Sequence, residues 1–159
     1  MSDSAAGATA PPITRQQAIA ELTAPGRDYE LAERTVGGRR CRVFVNAPES
    51  LRVLFEQAAS DATFIVYGDE RLSYRETWDR AAALGHVLKR DFGVEPGDRV
   101  AISMRNYPEW IVSFMAVTAI GGIAVAMNAW WTPEEMAYGL NDCGARVLLA
   151  DRERLERVE

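Results

Sequence analysis

From Trp110 to Trp131 the chain reads WIVSFMAVTAIGGIAVAMNAWW, without one charged side chain in a protein that is 26% charged overall. About 20 apolar residues suffice to cross a bilayer, so length alone admits a membrane span. The finer pattern favours a soluble reading. Pro108 stands where a first helical turn would begin, with Asn106 before it and Glu109 after it, as at a helix N-terminus. Trp110, Ile111, Phe114, Met115 and Thr118 then recur at helical spacing. Gly121-Gly122 reads as a stop, because glycine accepts the left-handed conformation on which helices often end. Ile123 to Met127 is short, apolar and partly β-branched, and is expected to be a strand buried on both faces.

The same reading carries along the rest of the chain. Thr14 with Gln17 predicts a capped helix through Leu22, stopped by Pro25-Gly26. Tyr29–Thr35 and Arg40–Val45 form a predicted hairpin across Gly37-Gly38. Its second arm alternates Cys41, Val43 and Val45 with Arg40, Arg42 and Phe44, like a half-buried strand. Pro48 is expected to open a helix with Leu51, Leu54, Phe55 and Ala58 on one face. Thr63–Tyr67 and Arg71–Ser73 are strands about a turn at Gly68-Asp69-Glu70. Ser73 and Glu76 spell a capping box, starting a helix that turns Trp78, Ala81, Ala82, Leu84 and Leu88 inward and ends near Gly93. Arg99–Met104 is a strand. Thr132, Pro133 and Glu135 start a further helix that stops at Gly144, and Arg146–Ala150 is the last strand before a charged turn, Asp151–Glu159. From Arg99 onward this is a βαβαβ series, so the fold class is α/β with a parallel sheet, incomplete as read and preceded by a β-hairpin. The division expected is a disordered tail at 1–12, an N-terminal helix and hairpin at 13–45, and the α/β part at 46–159.

Composition narrows the chemistry. Eighteen basic against 23 acidic residues give a net charge of −5, and no clustered positive face for nucleic acid is in evidence. Cys41 and Cys143 are too few and too widely spaced for a disulfide framework. They read as reduced thiols, which with the lack of a secretory signal suggests a cytoplasmic protein. His86 stands alone, so neither a metal site nor a catalytic histidine is indicated. No GxxxxGK[ST] loop, GxGxxG after a strand, GxSxG elbow or HExxH occurs. Glu134-Glu135 and Glu153–Glu156 read as capping and solvated charges.

Motif order supplies what single motifs do not. Leu72-Ser73-Tyr74-Arg75-Glu76-Thr77 resembles the first core motif, L-T-Y-x-E-L, of the adenylate-forming superfamily: acyl-CoA synthetases, luciferases and peptide-synthetase adenylation domains. Gly93 to Met104 is similar to the GVxxGDRVAI segment that follows it. Asn106 to Asn128 resembles the second core motif, with Ile120 where lysine is frequent. Asn128 to Glu135, followed by Asp142 to Leu148, is most similar to bacterial fatty-acyl-CoA ligases. The resemblance covers Asn46 to Asp151.

The resemblance implies the N-terminal part of an enzyme that joins a fatty acid or other carboxylic acid to CoA through an acyl adenylate, with ATP, Mg2+ and CoA as the complete enzyme's cofactors and substrates. The family's phosphate loop and C-terminal lysine have no counterpart in these residues. No catalytic residue, no metal ligand and no bound cofactor is therefore expected of this chain alone. One site is implied: in some CoA ligases an arginine just after the second motif's asparagine contacts the CoA nucleotide phosphates. That places Asn128 and Trp130 near CoA, with tryptophan in the arginine's position; Trp130 and Trp131 packing a domain seam is the competing reading. The complete enzyme could sit peripherally on a membrane. A stand-alone interaction module, self-associating through the exposed sheet, is the alternative to a ligase fragment.

Overall fold

The computed structural model describes residues 13–158; the tail expected at 1–12 lies outside the described residues. The chain divides into two compact units at Ala47/Pro48.

The first unit is small. Thr14 caps helix α1 (Arg15–Leu22) in a reciprocal box with Gln17, as its spacing requires. Strands β1 (Leu31–Val36) and β2 (Arg39–Phe44) pair antiparallel, with Tyr29 edge-on to Phe44. The alternation in the second arm promised a half-buried strand, but only Val43 is partly covered and Cys41 is exposed. A two-stranded ribbon has no second layer of its own to bury one face against.

The second unit holds the core. Helix α2 (Leu51–Ala58) is capped by Ser50 rather than opened by Pro48, because the serine hydroxyl can accept the Val53 N–H and proline at 48 cannot serve that end. Strands β3 (Thr63–Tyr67) and β4 (Glu70–Ser73) form a hairpin that leads directly into α3 (Tyr74–Arg90). The Ser73–Glu76 capping box is present as expected. Of the residues predicted to face inward, Ala81 and Leu88 are buried and Trp78 and Leu84 partly so. Ala82 is exposed; the buried position is Gly85, where a Cβ would stand 3.0 Å from Ile120 Cγ2, so glycine lets α3 approach α4 closely.

Three parallel strands, β5 (Arg99–Ser103), β6 (Ile123–Ala126) and β7 (Val147–Ala150), make the sheet in the order β6-β5-β7. Helix α4 (Pro108–Ala119) joins β5 to β6, and α5 (Pro133–Cys143) joins β6 to β7. Successive strand residues face opposite sides, and β5 shows it. Val100 packs with Ala81, Leu88, Val112 and Ala116 on the α3/α4 side, while Ala101 packs with Met127 and Met136 on the α5 side. Covered on both faces, β5 is buried from Val100 to Ser103, as a parallel strand between helices should be.

The apolar run therefore resolves into helix and strand. No helix among the described residues is long and apolar enough to cross a membrane. Helix α4 begins with Pro108 at its first position and Tyr107, not Asn106, as the residue before it. It ends where Gly121, at φ +85°, donates to the Thr118 carbonyl and Gly122 to that of Val117, a left-handed C-terminal hook. The strand after it is not buried on both faces. It is an edge strand, and Ile123 is 46% exposed, since it bonds to β5 alone. After β7 the charged turn is a short helix, α6 (Arg152–Leu155), capped by Asp151.

Candidate functional site

In an open parallel sheet the crevice that takes a ligand lies outside the carboxyl ends of the strands, where the strand order reverses. Here that is beside β5, which the chain leaves for β6 on one side before returning with β7 on the other. The segments beyond the three carboxyl ends are Met104–Tyr107 after β5, Met127–Trp131 after β6 and Asp151 with α6 after β7. They meet in a crevice of about 560 Å³ walled by Tyr67, Arg105, Asn106, Tyr107, Ala129, Trp130 and Glu153, with Met104 also lining it.

The wall is aromatic and carries one guanidinium, from Arg105, and one carboxylate, from Glu153, which is paired with Arg154 and Arg157. The Arg105 guanidinium lies 4.1 Å from the centre of the Trp130 ring, and the Tyr67 and Tyr107 rings meet edge-on at 5.9 Å. Trp130 is 69% exposed, so its ring is a surface for something else rather than a core residue. The arginine implied at this position by the resemblance is absent, yet Arg105 brings a guanidinium to the same place from the neighbouring strand.

Asn128 and Trp130, the two residues singled out from the sequence, are joined by a local turn in which the Asn128 side-chain oxygen accepts the Trp130 N–H at 2.9 Å. Aspartate and asparagine make such turns readily. Trp130 lines the crevice and Asn128 shapes the turn beneath it. Trp131 goes elsewhere: its ring lies against Gly139 of α5, where a Cβ would stand 2.7 Å from the ring, and it packs against the Ala101–Met136 core.

The floor beneath the crevice was not evident from the sequence. Asp151 accepts the Arg105 and Arg154 backbone N–H groups, each at 3.0 Å, and the Arg154 guanidinium at 3.3 Å. Partial burial pushes its carboxyl up, but the two backbone donors and the guanidinium outweigh that and hold it below the usual carboxylate range. Arg154 is fully buried and donates its Nε to the Ala129 carbonyl at 2.9 Å. Arg157 donates to the Ala129 and Trp131 carbonyls at 3.2 and 2.9 Å. Read as a charged turn, this segment looked solvated. The signal available was Asp151 ending an apolar strand, with Arg154 and Arg157 spaced to share one helical face.

Below the sheet's other end, Asp98 accepts the Glu95 backbone N–H at 2.8 Å and Arg146 Nη1 at 2.6 Å. Those contacts, the backbone donor first, lower its carboxyl as well. It is a brace between the turn before β5 and the start of β7.

Chemically the crevice can hold a flat or anionic group, through ring faces and one guanidinium. It presents no nucleophile with an adjacent base. Among the described residues no cluster of three His, Cys, Asp or Glu could hold a metal ion, and His86 is exposed on α3. A second groove of about 550 Å³ lies between β6 and α5, with Val125, Met127, Trp131 and Tyr138 inside and Glu134, Glu135 and Asp142 at its rim. It carries no cation.

Known proteins give this architecture a context. Residues 54–159 match the family of AMP-binding enzymes. Malpinin synthetase of Mortierella alpina is 36% identical over 109 residues, covering 65% of this chain and 1% of that protein. The long-chain-fatty-acid–CoA ligase of Salmonella typhimurium is 34% identical over 104 residues, covering 64% of this chain and 18% of the ligase. Among solved structures, the anthranilate CoA ligase AuaEII in complex with anthranoyl-AMP superposes with a TM-score of 0.65 at 29% identity, over 69% of this chain and 22% of that one. The chain thus spans less than a fifth of the length of these two curated relatives. With the family match covering most of the polypeptide and the same α/β architecture recurring in a ligase of the class, the chain belongs to the AMP-binding enzymes, the adenylate-forming ligases.

Proposed function

We propose that this chain is the N-terminal portion of an ATP-dependent acid–CoA ligase, with a fatty acid as the acid, and that it supplies scaffold rather than chemistry. In that reading residues 13–45 are an extension and residues 46–159 begin the AMP-binding domain. The observation that carries it is the crevice at the sheet's carboxyl end: its aromatic wall and the Arg105 guanidinium suit a base and a phosphate, and it has no group able to activate a carboxylate.

The reaction asks for two displacements. A carboxylate oxygen attacks the α-phosphorus of ATP and pyrophosphate leaves; the CoA thiolate then attacks the acyl carbonyl and AMP leaves. Both steps need cations and backbone donors around the triphosphate, with Mg2+ between its oxygens. Nothing along the crevice besides Arg105 answers to that need, so the triphosphate belongs to other parts of the ligase. Trp130 and Arg105 suit the CoA end, where a ring face and one guanidinium can meet an adenine and a phosphate. The free thiols of Cys41 and Cys143 agree with a cytoplasmic enzyme.

The test is carboxylate-dependent ATP–pyrophosphate exchange. The 159-residue chain alone is expected to show none, while a ligase containing it shows exchange with fatty acids. In that ligase Trp130→Ala raises the KM for CoA and leaves the exchange unchanged. Exchange, or tight magnesium–ATP capture, by the isolated chain would overturn the assignment. A second reading, an interaction or dimerisation module, is favoured by the open strands β6 and β7. It requires a defined, saturable complex formed by the 159-residue chain alone.

A further inference from the structure

We propose that Arg154 and Arg157 are positioning residues that set Trp130 over Arg105, and with it the width of the crevice mouth, without touching what binds there. Trp130 cannot hold itself in place. Its ring is 69% exposed, and a single cation–π contact at an exposed site is weak. The backbone on both sides of it is tied down instead. Arg157 reaches the carbonyls of Ala129 and Trp131, the residues immediately flanking Trp130. Arg154, wholly buried, adds a second donor at the Ala129 carbonyl.

The other partner of the stack is referred to the same segment. The Asp151 carboxylate that receives the Arg154 guanidinium also receives the Arg105 backbone N–H. Arg105 in the segment after β5 and Trp130 in the loop after β6 therefore take their relative height from Asp151–Arg157, after β7. Both carbonyls are served by one nitrogen, Arg157 Nη1, while Nη2 donates to Glu153; the planar guanidinium holds these donors in fixed directions, whereas an ammonium's donors rotate freely. Hydrogen bonds from charged donors are also stronger than neutral ones, which suits a clamp on an otherwise exposed loop.

The use of the crevice rests on the ligase reading, but the positioning does not, and the experiment separates them. The chain contains four tryptophans, so 5-fluorotryptophan labelling gives four fluorine resonances, with Trp130→Phe assigning one. Arg157→Ala is expected to move the Trp130 resonance most of the way to its denatured position while Trp78 and Trp110 stay. Arg157→Lys should recover part of the native shift. In the ligase, the same Arg157→Ala raises the KM for CoA without lowering pyrophosphate exchange. If Arg157→Ala unfolds the chain and moves every resonance, Arg157→Lys decides: a shift confined to the 128–132 loop supports the clamp. A Trp130 resonance unmoved in a folded Arg157 variant overturns it. Movement of that resonance with no change in CoA dependence upholds the clamp and removes the ligase role of the crevice.

Discussion

Asp151 caps one helix and holds two arginines, one by its backbone and one by both backbone and side chain. Because its carboxyl is held below its ordinary value, it contributes stability that is present above about pH 4 and is lost as pH falls through the lower folded value. Asp151→Asn should cost about 1–3 kcal/mol at neutral pH, since charge-assisted contacts around a largely buried group are removed. Urea titrations of both proteins would show that difference shrinking below about pH 4; a difference that grows there would refute it. Arg154 is the residue the sequence concealed most fully. It sits in a run of Arg and Glu that reads as solvated, and a charged side chain is rarely buried without partners. Its partners are the Ala129 carbonyl, Asp151 and the neighbouring Glu153, and nothing in the local sequence announces that Ala129 lies within reach. Trp130 was reached through a motif position, but the cation above it came from a different strand, and only the sheet order brings them together.

Among the elements, the reciprocal capping boxes were legible, the start of α2 was misplaced to Pro48, and neighbours were not legible. The boxes at Thr14–Gln17, Ser73–Glu76 and Thr132–Glu135 are all formed, because a cap is written by two residues three apart and depends on little else. Burial of β6 and of Ala82 was misjudged because each depends on what lies alongside. Gly121 shows where local and tertiary demands coincide. Its φ of +85° already disfavours any other residue, and a Cβ there would meet Pro96 Cβ at 3.1 Å. Gly121→Ala is therefore expected to lower stability by about 1–2 kcal/mol or more. Thermal unfolding would read this directly, and an unchanged midpoint would mean that the end of α4 rearranges freely.

At the level of the molecule, both outer strands bond to β5 alone, and each leaves a row of backbone groups without a strand partner among the described residues. Open strand edges invite pairing with other chains. Sedimentation of the 159-residue chain should accordingly be concentration-dependent. Ile123→Lys, a change at a 46% exposed position on β6, should reduce the association while leaving the fold intact. A monomer at all concentrations would contradict this. The α/β class and the series from Arg99 onward could be read from periodicity and turns, whereas the order β6-β5-β7 could not, because it depends on which side each crossover takes.

That order also bears on synthesis. The middle strand leaves the ribosome first, and each later one is laid against an outside that is already there. Among the three described strands the sheet thus widens from its centre, and none of them has to be inserted between two that have already joined.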